Sequence, residues 1–87
     1  MMLEKIIGAL EVIKKQAEEN LTHINAEIDD LIKNKIQSVD RIEYLLDTLL
    51  DYGYLSVGEQ EFKRLNSYYA SFNPINAKIY DSFYEEI

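Results

Sequence analysis

The chain has 87 residues, no cysteine, and a formal net charge of −7 from 16 acidic and 9 basic side chains. That length fits one domain, and the missing cysteines exclude disulfides and thiolate metal sites. The acidic balance argues against general nucleic-acid affinity, because polyanions repel one another and the phosphate term dominates such binding.

The ten aromatic residues all lie between Tyr44 and Tyr84. The first 43 residues carry an aliphatic repeat instead: Leu3, Ile6, Leu10, Ile13, Ala17, Leu21, Ile24, Ile28 and Leu31. Steps of three and four predict one long helix over 1–36 with a coiled-coil-like seam. The extra step of four from Ala17 to Leu21 is a stutter that locally relaxes a supercoil. Such a helix is about 50 Å long at 1.5 Å per residue, too long for the shorter helices that follow to cover. The expectation is therefore a homodimer, with Leu3, Ile6, Leu10, Ile13, Ala17, Leu21, Ile24 and Ile28 as its seam, or else a bend near Asn20 that folds the helix back on itself.

Residues 38–87 predict three short aromatic-rich helices. The second helix starts near Ser38 or Asp40, carries Val39, Ile42, Leu46, Leu49 and Leu50 with Leu45 at the flank, and ends at Gly53 in a left-handed turn. Ser56-Val57-Gly58-Glu59 has the spacing of a reciprocal N-terminal cap for the third helix, whose inner face is Phe62, Leu65, Tyr69 and Phe72. Asn73-Pro74 opens the fourth: asparagine is a good cap and proline suits the first helical position. Its stripe reads as Ile75, Ile79, Tyr80, Phe83 and Ile87. No strand-length alternation with paired turns occurs, so the fold class is all-α, a helical bundle in a single domain.

No catalytic motif is present. The serines lack a nucleophile setting and the three glycines form no phosphate loop. His23, the lone histidine, forms an i,i+4 ladder with Glu19 and Glu27. A metal-binding bundle would need two such ladders brought together by a dimer, and the Glu-x-x-His element of helical metal sites is absent, since Asn20 stands three residues before His23. The other reading is a solvated polar face. Asp47 and Asp51 share a helix face, where like charges repel mildly and a basic partner would relieve them. Tyrosine combines broad contact area with a polar tip and is enriched at interfaces. Asp47, Asp51, Tyr52, Tyr54 and Tyr68 are therefore the candidate protein-binding residues, set against the reading that these rings close the edge of a core.

The segment FNPINAKIY resembles the junction between tetratricopeptide repeats at Pro74, Asn76, Ala77 and Tyr80. It departs from that family at Phe62 and Tyr69, where small residues belong, and at Tyr84, where glycine belongs. The match is one of cap chemistry, and the chain is too short for stacked repeats. The stretch LLDTLLDYG with FKRLNSYYASFNPINAKIYDSFYEE resembles small uncharacterised helical proteins of bacterial phages and mobile elements. That resemblance implies a regulator or inhibitor of host systems and brings no catalytic residues.

The sequence-level expectation is a cytoplasmic, non-enzymatic interaction module or inhibitor. It binds a larger, basic-surfaced protein, and neither nucleic acid, membrane nor cofactor. The alternatives are a structural or assembly protein built through the first helix, and the carboxylate–histidine metal bundle.

Overall fold

The computed structural model describes residues 2–87, with side chains from Ile7 onward. It is all-α: α1 (Met2–Lys33), α2 (Val39–Gly53), α3 (Glu59–Ala70) and α4 (Pro74–Glu85). α1 is a single helix with no fold-back at Asn20. Its 32 residues span about 48 Å, which accounts for the 50 Å long axis of the molecule.

α1 is used in two ways. Its carboxyl half delivers Ile24, Ile28 and Leu31 into a core shared with Ile42, Leu45, Leu46 and Leu49 of α2, Phe62, Leu65 and Tyr69 of α3, and Ala77 and Tyr80 of α4. From Ile7 to Gln16, every residue but Gly8 is exposed. The expected dimer seam is thereby divided. Ala17, Ile24 and Ile28 are buried within this chain and Leu21 is half-buried, while Leu10 and Ile13 are exposed. Leu3 and Ile6 lie outside the described side chains. The correction is physical: α2 and α3 cover the carboxyl half of α1 themselves, so those side chains have no seam left to offer. Arg41 of α2 pairs with Asp30 and Arg64 of α3 with Asp29, bridging both helices to α1 on the solvent side.

The turns explain where the elements stop. After α1, Lys35 adopts φ 51, Ile36 N–H donates to Leu31 O at 2.9 Å and Lys35 N–H to Ile32 O at 3.3 Å. These are the paired bonds of a left-handed helix terminus. Ser38 then caps α2, its hydroxyl accepting from Arg41 N–H. The end of α2 repeats the device: Val57 N–H donates to Tyr52 O, Ser56 N–H to Gly53 O, and Ser56 takes φ 58. So Ser56 closes α2 and is not free to open α3, and the reciprocal cap with Glu59 does not form. Gly58, at φ 87 and with no side-chain cap bond, precedes α3 instead. Gly53 is likewise not the left-handed residue. It lies within α2, and a Cβ there would sit 2.8 Å from Ile87 Cδ1 and 3.3 Å from Tyr84 Cε2. Asn73 caps α4 as expected, accepting from Asn76 N–H with Pro74 in the first turn.

α4 presents a different face from the expected one. Ala77 and Tyr80 are buried and Tyr84 is half-buried, whereas Ile75, Ile79, Phe83 and Ile87 are exposed. Small Ala77 lets α4 approach α3, where the buried Asn66 donates from Nδ2 to Ala77 O at 2.8 Å and Asp81 Oδ1 at 2.7 Å. Tyr84 stacks on Phe62 at 4.2 Å between ring centroids. Stacking and polar anchoring set the rotation of α4, against the aliphatic stripe.

Candidate functional site

Three acidic residues and one tyrosine run along the outside of α2. Asp40, Tyr44, Asp47 and Asp51, spaced by four, three and four, share one helix face, and all four are exposed. Tyr44 is 72% exposed at the centre of the row. None of these acids, nor the neighbouring Glu43, takes part in an ion pair among the described residues. Arg41 turns to Asp30, Lys63 to Glu59 and Arg64 to Asp29.

Glu43 and Asp47 meet α3 and α4 through tyrosine hydroxyls. Tyr80 OH donates to Asp47 Oδ1 at 2.8 Å, and Tyr69 OH donates to Glu43 Oε2 at 2.5 Å. Asn76 Nδ2 donates to Glu43 Oε2 and to Tyr69 OH, which also accepts from Asn73 Nδ2. The rings are buried, which pushes the hydroxyls of Tyr69 and Tyr80 above the ordinary tyrosine range, and the carboxylates they donate to push them further. Both hydroxyls therefore keep their protons at neutral pH. These bonds tie the α2 ridge to α3 and α4.

Beside that ridge lies an open cleft of about 250 Å³, lined by Glu43, Asn76, Ile79, Tyr80 and Phe83. A second cleft, of about 300 Å³, lies between Ile7, Leu10 and Lys14 of α1 and Tyr54 and Leu55 of the α2–α3 turn.

The candidate binding residues do not form one patch. Asp47 and Asp51 stay together on the α2 ridge. Tyr52 is half-buried, its hydroxyl accepting from Asn20 Nδ2 at 2.7 Å. Tyr54 is 74% exposed but faces the α1 cleft. Tyr68 donates to Ile36 O at 2.7 Å and packs against the core with Phe72. Tyr68 thus has a structural role at the core edge. Sequence reasoning missed Tyr44, whose i+3 and i+4 relation to Asp47 and Asp40 was the available signal, and the outward-facing Ile75, Ile79 and Phe83. Glu19, His23 and Glu27 are exposed, and no group of three potential metal ligands gathers among the described residues. No described helix is long and apolar enough to cross a membrane.

Comparison with protein-family models, curated proteins and solved structures returns no match.

Proposed function

We propose that this chain is a non-enzymatic docking module, placed in the cytoplasm, that binds a larger protein with a basic surface. The observation that carries this reading is the row Asp40–Tyr44–Asp47–Asp51, exposed along α2 and engaged by no ion pair among the described residues. A one-signed ridge raises the encounter rate with an oppositely charged surface and makes it fall with salt. Tyr44 adds a broad, partly apolar contact in the middle of the charge, the composition that interfaces favour. Partners that handle nucleic acid present basic grooves of the matching sign, so inhibition by occupying such a groove is the mode we propose. The resemblance to small phage and mobile-element proteins agrees with that mode.

The test starts with a partner captured on the immobilised chain from its source cells. Its affinity is then measured against Asp47→Lys with Asp51→Lys, in low and high salt. The reading expects a loss of about tenfold or more at low salt that shrinks as salt rises. Unchanged affinity removes the electrostatic docking.

A second reading, self-association through α1, draws support from the exposure of Ile7, Leu10 and Ile13 at roughly half of each side chain. Sedimentation equilibrium of the wild type against Leu10→Ser with Ile13→Ser decides it. A dimer that the double substitution dissolves supports the pairing. A monomer at high concentration rejects it, and a large assembly favours the structural alternative.

A further inference from the structure

The outer face of α4 is exposed and adjoins the acidic ridge. Ile75, Ile79 and Phe83 are 75%, 46% and 49% exposed. They are spaced by four residues, so they line one side of the helix over about 12 Å. A monomer rarely leaves a contiguous apolar strip beside a rim of charge unless something covers it. The cleft at the foot of the strip has Ile79, Tyr80 and Phe83 for its apolar wall and Glu43 for its opposite wall. Asp47 is bonded to Tyr80 at the same edge. Lys78, three residues after Ile75, lies by helical spacing on the side of α4 away from α2.

We propose that α2 and α4 together form a seat for a basic amphipathic helix of a partner protein. Its apolar stripe would pack on Ile75, Ile79 and Phe83, and the lysines or arginines along one flank would meet Glu43, Asp47 and Asp51. This rests on the docking reading above and names the element that docks. The dimensions agree. Apolar anchors at i, i+4 and i+7 span about 10 Å of helix, close to the length of the strip. A helix seated between two others at an axis separation of about 8–10 Å reaches both. Other occupants fit less well. An added strand needs an exposed sheet edge, and every secondary-structure element among the described residues is a helix. Nucleic acid and the anionic leaflet of a membrane carry the sign that the ridge repels.

The probe is a synthetic helical peptide with leucines at i, i+4, i+7 and i+11 and lysines along both flanks, compared with a scrambled peptide of identical composition. Binding is followed by fluorescence anisotropy of the labelled peptides. The proposal expects the amphipathic peptide to bind about tenfold or more tightly than the scrambled one. Ile79→Ser with Phe83→Ser should abolish that margin, leaving equal, salt-sensitive binding of both. Asp47→Asn with Asp51→Asn should weaken both peptides and flatten the salt dependence. Ile75→Ser, at the most exposed position of the strip, provides a single milder change if the double serine variant does not fold. Equal binding of the two peptides to the wild type overturns the seat and leaves charge-driven docking standing. Binding of neither overturns both. A wild-type dimer that Ile79→Ser with Phe83→Ser converts to monomer would show that a second copy occupies the strip, and would also overturn the proposal.

Discussion

Replacing Ser56 by glycine should stabilise the protein. Ser56 holds φ 58 at the end of α2, where its N–H donates to Gly53 O at 3.0 Å and the next N–H, of Val57, donates to Tyr52 O at 3.1 Å. The left-handed conformation costs an L-residue about 1–2 kcal/mol. Glycine removes that strain but loses about 0.5–1 kcal/mol more backbone entropy on folding. The net gain is about 0–1.5 kcal/mol, centred on about 0.75, which in a domain of this size raises Tm by about 3–6 °C at that centre. A capping box predicts the opposite sign, since replacing a serine cap by glycine costs a few tenths of a kcal/mol. Gly58→Ala is the companion change. It places a side chain at φ 87 and a Cβ 2.9 Å from Cδ2 of Leu49, which is fully buried. Backbone strain of about 1–2 kcal/mol and overpacking of about 1–3 kcal/mol together give a loss of about 2–5 kcal/mol. Thermal and urea unfolding followed by far-UV circular dichroism read both. A Ser56→Gly protein less stable than wild type, or a Gly58→Ala protein of wild-type stability, would refute the assignment of these two residues.

Three further outcomes follow from the packing. Tyr69 and Tyr80 hold their protons above the ordinary tyrosine value of about 10. Their contribution is thus complete below pH about 10 and is lost as pH rises from there through the folded values. Tyr80→Phe should cost about 0.5–1.5 kcal/mol at neutral pH and flatten the alkaline loss of stability; a spectrophotometric titration in which all seven tyrosines ionise together near the ordinary value would contradict this. Asn66 is 3% exposed and its Oδ1 is unpartnered. Asn66→Ala should cost about 1–3 kcal/mol for the lost bonds to α4, and Asn66→Asp about 3–5 kcal/mol, since it sets a buried carboxylate against Asp81; the reverse order in urea melts would sink that account. Ile28→Ala should cost about 2–5 kcal/mol, whereas Ile13→Ala at a half-exposed site should change monomer stability by less than about 0.5 kcal/mol. Equal effects would deny the division of α1.

Much of the fold was legible from local rules. The 3/4 spacing of Ile24, Ile28 and Leu31 marks a buried stripe whatever covers it, and Asn73-Pro74 is a cap and a first turn in any context. The identity of the cover was not legible, because periodicity gives the apolar face of a helix and not its neighbour. α4 shows the limit most clearly. Ile75, Ile79 and Phe83 outrank Ala77, Tyr80 and Tyr84 in hydropathy, yet the second set is turned inward. Ring stacking of Tyr84 on Phe62, the Asn76 bond to Glu43, the Tyr80 bond to Asp47 and the Asn66 bond to Asp81 are all long-range in sequence. Ser56 failed for a nearer reason: one residue was eligible for two helix ends, and the end of α2 took it. Of the candidate site, Asp47 and Asp51 were readable because i,i+4 spacing places them together. Tyr52, Tyr54 and Tyr68 were not, because whether a tyrosine hydroxyl finds Asn20, a cleft or the Ile36 carbonyl depends on packing.

The most direct test of the docking face is residue-resolved. The amide spectrum of the labelled protein is recorded while the lysine–leucine amphipathic peptide is added. The account predicts that shifts concentrate in 40–51 and 75–83 while 7–16 and Tyr54 stay in place. Shifts centred on the α1 cleft, or spread evenly over every acidic stretch, would contradict it.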